Sequence, residues 1–192
     1  MTAPSRNTLQ PGDVTDDFFP ENPRSGVRVK AITVESSLYE QALKVRQRAM
    51  FLPFEHDIAE RDLSCDSAPH SKLIVALTED NRVVGTALMM PVKEDAGSQS
   101  NGAAPEKIAH WLCARFVCVD PVFQGRHIGD VLMSAIEHWA RHQGFHGVTL
   151  RARENAIAFY RRCGYRGEGP VFMPDDAFLP HWWMHKELTD EQ

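Results

Sequence analysis

The sequence predicts an α/β domain in which a mixed β-sheet is flanked by helices. Two patterns in the middle of the chain support this class. Residues 73–78 and 83–90 are apolar runs separated by a short polar turn, which is typical of an antiparallel hairpin. Further on, a strand at 108–119 is followed by a helix at 128–143 and a strand at 147–151. A strand–helix–strand unit of this kind forms a parallel pair with a right-handed crossover, so the sheet is mixed.

The remaining elements follow from the same periodicities. Residues 27–33 alternate between apolar and polar side chains, like a half-buried strand. A helix comes next, capped by Ser36 or Ser37 and ended by Pro53. After the central crossover we expect a short helix and two closing strands, which are 154–163, 165–172 and 181–188.

The chain is long enough for one domain with its own core, which we place at residues 26–192. Residues 1–25 are rich in Pro, Asp, Asn and Ser and are expected to form a flexible arm. Phe18 and Phe19 are the residues that could dock this arm on the domain. The polar and acidic stretch at 54–71 is expected to be a solvated loop with a short helix.

The composition excludes several classes of protein. The net charge of −5 lacks the basic excess of a general nucleic-acid binder. No apolar run opens the sequence and no window is long enough to cross a bilayer, so we expect a cytoplasmic protein without a membrane partner. The cysteines are far apart and form no CxxC pair, which argues against a disulfide framework or a metal site; they are Cys65, Cys113, Cys118 and Cys163.

The most informative segment runs from Val117 to Asp130. It predicts a strand that ends at Pro121, a short turn that contains glycine, and a helix that opens near Ile128. The first N–H groups of a helix have no partner inside the helix, and the helix dipole favours an anion at this end. A turn that leads into a helix in this way is suited to binding phosphate.

This segment resembles the pyrophosphate-binding motif of the GNAT superfamily of acyl-CoA N-acyltransferases, which follows a Val-x-Val strand with Gln/Arg-x-x-Gly-x-Gly/Ala. Here the motif reads Gln124-Gly-Arg-His-Ile-Gly129, with His127 where the family has its first glycine. The resemblance covers residues 27–188. The ending Leu179-Pro-His-Trp-Trp-Met184, together with His70, is similar to the ElaA/YjcF-like members of the family.

The resemblance implies that acetyl-CoA binds as a co-substrate, without a metal, in a gap between two splayed strands. The backbone of Val117 and Val119 is expected to bind the pantetheine arm and the acetyl carbonyl. Cys118 belongs to the same binding strand, although its side chain is expected to point into the core. The residues expected to surround the pyrophosphate are Gln124, Gly125, Arg126, His127, Ile128, Gly129 and Asp130.

Three candidate cofactor contacts leave alternatives open. His127 either crowds the phosphates or turns its imidazole outward, and we favour the outward orientation. Arg126 either adds charge at a phosphate or remains solvated. Asn155 is a candidate for a cofactor contact, although the family's asparagine falls at Arg153 in this chain, and a helix N-cap at Asn155 or Glu154 is the competing role.

Tyr160 is the candidate catalytic residue. It lies in Ala156-Ile-Ala-Phe-Tyr-Arg-Arg-Cys-Gly-Tyr165, which resembles the GNAT helix whose tyrosine is a general acid toward the CoA thiolate. This role is chemically sound, because the leaving sulfur gains negative charge that a nearby O–H donor stabilises. The alternative is a helix tyrosine packed against the sheet with its hydroxyl at the rim.

No general base is evident, since the strand before the loop carries no glutamate between His110 and Phe116. His181 gains weight as a base from the ElaA-like ending, with a packed histidine beside two tryptophans as the alternative. Chemistry alone also nominates His110 and four acidic residues, which are Glu55, Asp57, Glu60 and Asp66.

The sequence therefore predicts an N-acetyltransferase in which a small-molecule or peptide amine directly attacks the acetyl group of acetyl-CoA. The alternative is a CoA-binding regulatory module without catalysis. The acidic stretch at 55–66 suggests a cationic acceptor, although a solvated loop explains it equally well. Trp182 and Trp183, near the last strand, would suit a homodimer seam.

Overall fold

The computed structural model describes Phe19, residues 25–92 and residues 110–188. Seven strands within these ranges form one sheet. In chain order the strands are β1 (Arg28–Ile32), β2 (Lys72–Leu77), β3 (Val83–Pro91), β4 (Leu112–Val119), β5 (Gly147–Arg153), β6 (Arg166–Phe172) and β7 (His181–Glu187). Across the sheet their order is β1-β2-β3-β4-β5-β7-β6. The α-helices are α1 (Tyr39–Arg46), α2 (Ile128–His142) and α3 (Ile157–Arg162).

The pairing of the strands makes the sheet mixed. Neighbouring strands are antiparallel except β4 and β5, which are parallel and are connected by α2. The predicted mixed sheet, the hairpin of β2 and β3, and the parallel pair are all confirmed. As a result, the carboxyl end of β4 and the start of α2 come together near the centre of the sheet, which is where an α/β fold places a ligand.

Helices cover both faces of the sheet, so there is a core on each side. On one face α1 packs through Ala42 and Val45, which are fully buried. On the other face α2 packs through apolar residues with helical spacing, which are Ile128, Val131, Leu132, Ala135 and Ile136. Because both faces are covered, β2 and β3 are continuous apolar runs and do not alternate.

The predicted cap of the first helix is wrong. Leu38 precedes the first helical residue, and no side chain caps the helix. The Ser36 hydroxyl instead stabilises the turn before the helix, where it accepts a hydrogen bond from the N–H of Leu38. The regular α-helix ends at Arg46, and the chain continues as a π-helical turn, Gln47–Phe51, and a 3₁₀ turn that contains Pro53.

Only a small part of the predicted N-terminal arm lies within the described residues. Phe19 is buried in the core on the α2 face. This contact is the one by which the arm was expected to be able to dock on the domain. Phe18 lies outside the described residues, as do the first residues of the strand predicted at 108–119. In the described ranges no helix is both long enough and apolar enough to cross a membrane.

The two tryptophans of β7 attach the edge strand β6 to the sheet. β7 is the last strand in the chain, but it lies between β5 and β6. Trp183 is buried and stacks on Phe172, with ring centres 5.6 Å apart. The indole N–H of Trp182 donates to the carbonyl of Gly169 at 2.7 Å. Both side chains therefore make contacts within one chain, and the homodimer stays a prediction.

A buried ion pair ties the acidic loop to α1. Arg46 Nη1 lies 2.6 Å from Asp66 Oδ2, and neither side chain is exposed to solvent. The Tyr39 hydroxyl donates to the same oxygen at 2.8 Å, and burial followed by this bond raises the pKa of Tyr39 to about 12. The Arg46 guanidinium also lies 4.4 Å from the centre of the Phe116 ring on β4. Asp66 is therefore a structural residue and not an available base.

We expect Asp66→Asn to lower the free energy of unfolding by about 3–5 kcal/mol, because the charge of Arg46 would stay buried without its counter-ion. Urea denaturation measures this quantity. Glu40→Gln is the matched control, since it breaks the exposed pair between Glu40 and Lys44 on α1, and solvent screens such a pair so strongly that its loss should barely change the stability. Equal effects of the two substitutions would contradict the role assigned to the buried pair.

Candidate active site

The parallel pairing of β4 and β5 stops halfway along both strands. Among the described residues, Leu112, Cys113 and Ala114 are the part of β4 that pairs with β5. Beyond Ala114, β4 pairs with β3 and β5 pairs with β7. The two strands therefore splay apart, as the resemblance implied. The backbone groups of β4 that face the gap have lost their strand partner, and buried backbone groups need a partner.

A β-bulge in β4 lies at the point where the pairing ends. Thr86 of β3 pairs with Cys118, whereas Leu88 pairs with Arg115, so β4 contains one extra residue between these pairs. The irregularity includes Phe116, whose φ of 50° is in the left-handed region. A bulge bends its strand and increases the local twist, so it directs β4 away from β5.

A cavity of about 420 Å³ lies beside the splayed strands. Its walls are the end of β4 with the loop that leads into α2, α3 with the turn before it, and Ala49 and Met50 of the π-helical turn. The predicted cofactor contacts that line it are Val117, Cys118, Val119, Gln124, Gly125, His127, Ile128, Gly129, Asp130 and Asn155. Arg126 is not part of this lining, and its guanidinium packs 5.1 Å from the centre of the Phe123 ring. The fold thus brings three separate segments of the chain to one cavity.

The loop between β4 and α2 is fixed at its start by a buried carboxylate. Asp120 is 1% exposed and accepts hydrogen bonds from the N–H of Val122 and from the Arg48 guanidinium, 2.6 Å away. Gly125 follows with φ 77°, a left-handed conformation that glycine adopts without strain. Helix α2 begins at Ile128, so its unpaired first-turn N–H groups lie at the wall of the cavity.

His127 occupies a left-handed position, with φ 60°, at the N-cap of α2. A side chain at such a position costs about 1–2 kcal/mol, which is a physical reason for the glycine that the motif usually has there. The imidazole is 74% exposed, and its Nδ1 lies 3.1 Å from Asp130 Oδ2. The imidazole is therefore mostly solvated and lies beside Asp130, which agrees with the favoured outward orientation.

Three other candidates reach the cavity in different ways. Gly129 allows α2 to approach α3, because a Cβ at this position would lie 3.0 Å from the Phe159 ring. The Cys118 side chain is buried in the core on the α1 face, and burial raises the pKa of its thiol to about 12, so it is a poor nucleophile. Asn155 is exposed, and no side chain caps the 3₁₀ turn Glu154–Ala156.

Tyr160 lies between the larger cavity and a second cavity of about 110 Å³. The residues that line both are Met50, Val117, Arg153, Ala156 and Tyr160. Tyr160 is 7% exposed. Burial, followed by the nearby Cys118 and Cys163, raises the pKa of its hydroxyl above the ordinary value. The hydroxyl therefore stays protonated at neutral pH and is able to donate.

The wall of the smaller cavity carries a cluster of charged residues. Four arginines and one aspartate line it, and they are Arg61, Arg115, Arg151, Arg153 and Asp176. Arg151 binds Asp176 through two contacts of 2.6 and 2.8 Å, and Arg115 adds a third at 2.5 Å. Although burial alone would raise it, Arg151 and then Arg115 hold the pKa of Asp176 well below its usual value. Sequence reasoning missed this cluster, because its members are far apart in the chain and each is typical of a solvated surface.

His181 lines the smaller cavity as well. Its Nδ1 lies 2.8 Å from the carbonyl oxygen of Leu179. Because a carbonyl only accepts, Nδ1 carries the proton and Nε2 keeps its lone pair. Burial lowers the pKa of His181 to about 4, so the ring is neutral at pH 7. A neutral imidazole with an acceptor nitrogen at this wall is chemically able to take up a proton.

The acidic residues nominated as bases do not line either cavity among the described residues. Asp57 caps a short 3₁₀ turn, Asp66 belongs to the buried ion pair, and the two glutamates are exposed on the loop. His110 lies at the opposite end of β4 from the gap. The residue of the acidic stretch that does line a cavity is Arg61, a cation. The prediction of a cationic acceptor therefore loses its basis.

Comparison with known proteins decides the family. The model of the Acetyltransferase (GNAT) family matches residues 37–165, which include the splayed part of β4, the loop before α2, and α3. The chain belongs to the GNAT family. The family and the fold that the sequence predicted are confirmed.

Individual relatives agree with this assignment. YjcF, an uncharacterised N-acetyltransferase of Bacillus subtilis strain 168, is 33% identical over 72 residues, which are 37% of this chain and 50% of YjcF. The chain thus spans about half the length of the curated relatives it matches. Escherichia coli ElaA superposes with a TM-score of 0.62 at 18% identity, over 84% of this chain and 99% of ElaA. An aminoglycoside 6'-N-acetyltransferase complexed with coenzyme A gives 0.61 at 15% identity, over 85% and 98% of the two chains. At these identities the structural likeness shows the shared GNAT fold.

We expect His127→Gly to bind acetyl-CoA with equal or higher affinity than the wild type. Glycine adopts the left-handed backbone without strain, and the outward imidazole makes no phosphate contact that could be lost. Titration calorimetry measures the affinity. His127→Ala, which removes the imidazole but keeps a strained Cβ, is the matched control and should bind no better than the wild type. A clear loss of affinity in both variants would mean that the imidazole itself contacts a phosphate.

We expect His181 to titrate near pH 4, because burial disfavours its charged form. Its folded-state pKa is depressed, so the unfolded chain binds the proton first and stability is lost as the pH falls from about 6.5 towards 4. An NMR titration of the imidazole ring protons measures the midpoint, and His181→Gln identifies the signal by its disappearance. A midpoint at 6.5 or above would contradict the buried, neutral ring.

Proposed function

We propose that this protein is an N-acetyltransferase that transfers the acetyl group of acetyl-CoA to a primary amine by direct attack. The observation that carries the proposal is the junction of two cavities at Tyr160. One cavity extends from the start of α2 along the unpaired part of β4, and the other lies between the splayed strands. Acetyl-CoA and the amine would occupy different cavities and meet beside a protonated hydroxyl.

The larger cavity suits acetyl-CoA at two places. The unpaired N–H groups and the dipole at the start of α2 suit the pyrophosphate. Val117 and Val119 pair with no residue of β5, although the Gln124 side-chain amide donates to the Val119 carbonyl at 3.3 Å. The amide groups of a pantetheine arm could hydrogen-bond to this backbone as an added strand would. Acetyl-CoA supplies an acetyl group that is activated as a thioester. The side chains that surround that group are those at the junction with the smaller cavity.

Tyr160 and His181 divide the proton transfers in this proposal. When the amine nitrogen bonds to the acetyl carbon and the C–S bond breaks, the Tyr160 hydroxyl donates its proton to the departing sulfur. Nε2 of His181 accepts the proton that the amine loses, directly or through one water. A weak base suffices, because the nitrogen becomes more acidic as it bonds to the carbonyl carbon. Burial raises the pKa of Tyr160 and lowers that of His181. At neutral pH Tyr160 is therefore protonated, as a proton donor must be, and His181 is neutral, as a base must be.

Two measurements test the proposed activity. Titration calorimetry reports the binding of acetyl-CoA, and the release of CoA thiol in the presence of primary amines reports catalysis. We expect both binding and amine-dependent thiol release. Binding without thiol release for any amine would favour the non-catalytic CoA-binding module. A protein that does not bind acetyl-CoA would contradict both functions.

We expect Tyr160→Phe to reduce kcat by about 10²–10⁴-fold, the usual range for general acid–base help, while the affinity for acetyl-CoA barely changes. The substitution keeps the ring packing and removes a donor that matters most when the sulfur carries charge. Steady-state kinetics with an active amine decide the question. Tyr165→Phe is the matched control, because Tyr165 is also buried but does not line either cavity. Near wild-type turnover of Tyr160→Phe would reduce Tyr160 to a packing residue.

A further inference from the structure

We infer that the acceptor amine carries an anionic group, a carboxylate or a phosphate, which Arg61 and Arg153 bind in the smaller cavity. This inference rests on the proposed acetyltransferase function and names the class of its acceptor. Three observations support it: the charge of the cavity wall, the lack of a carboxylate partner for these two arginines, and their position relative to the cofactor loop.

The wall of the smaller cavity is strongly positive. Its four arginines and one aspartate give a formal charge of +3. His181 adds no charge at neutral pH, because burial lowers its pKa to about 4. A concave site with such a charge concentrates the electrostatic potential and raises the local concentration of anions. A polyamine would meet like charges there, whereas an amine with a carboxylate or phosphate would be attracted.

Asp176 neutralises only part of this charge. Arg151 occupies both of its carboxylate oxygens, and Arg115 shares one of them. Because Arg115 lies on β4 and Arg151 on β5, the carboxylate bridges the two strands just beyond their last paired residues. Both oxygens of Asp176 are therefore occupied by Arg115 and Arg151, so Asp176 is not the counter-ion of the remaining arginines.

Arg61 and Arg153 form no ion pair with the described residues, although both line the cavity. Their guanidinium carbons lie 5.8 and 5.4 Å from the centre of the same ring, Phe178. Burial, with the charge of Arg61 as a smaller contribution, lowers the pKa of Arg153. Nη1 of Arg153 donates to the carbonyl of Met50 at 2.9 Å, while its buried Nε has no hydrogen-bond partner. Two cations beside one ring, with one N–H donor unpaired, would be stabilised by an anion.

The position of these arginines indicates that the anion they bind belongs to the acceptor and not to the phosphates of CoA. Arg61 lines the smaller cavity and not the larger one. The loop proposed to bind pyrophosphate, from Gly125 to Asp130, borders the larger cavity and not the smaller one. Arg153 lines both cavities, together with Tyr160. An acceptor whose anionic group binds these arginines would therefore direct its amine towards Tyr160.

A panel of matched amines tests the inference. Glycine, β-alanine and 4-aminobutyrate carry a carboxylate, and their carboxamides have nearly the same shape without the charge. Phosphoethanolamine and ethanolamine form the phosphate pair, and spermidine represents cationic acceptors. Thiol release at saturating acetyl-CoA gives kcat/KM for each. We expect an anionic member to exceed its neutral partner by about tenfold or more, because charge-assisted hydrogen bonds to arginine are the stronger kind.

Arg61→Gln removes one cation and leaves the cofactor cavity intact. We expect it to raise KM for the favoured anionic amine by about tenfold, since it loses a charge-assisted contact. The affinity for acetyl-CoA and the KM of the neutral partner should stay unchanged. Arg166→Gln is the matched control, because Arg166 is exposed on the edge strand β6, and it should alter none of these quantities. Unfolding temperatures show whether both variants are folded.

The outcomes separate this inference from the proposed function. If no amine supports turnover, calorimetry on the CoA-saturated protein still compares the binding of β-alanine and phosphoethanolamine with that of their neutral partners. Anion binding that Arg61→Gln weakens would support the inference even in a protein without transferase activity. Equal turnover or binding of charged and neutral members, no binding of either anion, or an effect of Arg61→Gln on acetyl-CoA affinity alone would overturn it.

Discussion

The early end of the pairing between β4 and β5 is the constraint on which the site depends. Two parallel strands at the centre of a sheet normally satisfy their backbone groups along their whole length. Here β4 bends at the bulge around Phe116, and beyond Ala114 it pairs with β3 but no longer with β5. Asp176 binds Arg115 on one strand and Arg151 on the other, so the opening is held by a charged bridge. The same separation that leaves β4 unpaired also creates the smaller cavity.

Buried charges away from the junction position the walls of the site. The pair of Arg46 and Asp66 lies behind the bulge, with the guanidinium against the Phe116 ring. Asp120, held by Arg48, fixes the start of the loop that leads into α2. Such pairs are costly to desolvate and are weak evidence of added stability. We interpret them as directional constraints, because a buried carboxylate must meet its partner in one geometry, whereas apolar contacts tolerate sliding.

Burial also determines which groups are chemically available. It raises the pKa of both Tyr160 and Cys118, so the hydroxyl remains a proton donor and the thiol remains unreactive. It lowers the pKa of His181 and keeps that ring an acceptor. The two cavities differ in how they attract anions. The larger one offers the backbone N–H groups of a helix start, which suit a diffuse pyrophosphate charge, and the smaller one offers guanidinium groups, which suit a compact anion.

The sequence by itself determined most of the elements and the loop that we propose to bind the cofactor. Periodicity depends on near neighbours, and the loop motif lies within the consecutive residues 117–130, so both were predictable from the chain. The start of α1 was mispredicted because a serine hydroxyl can serve the preceding turn as well as a cap. The cavity wall that we propose to bind the acceptor was decided only by the tertiary structure. Arg61, Arg151 and Asp176 come from distant segments, and the acidic residues around Arg61 suggested the opposite charge. Only the splaying of the central strands brings these side chains to one wall, because strand separation is a property of the assembled sheet.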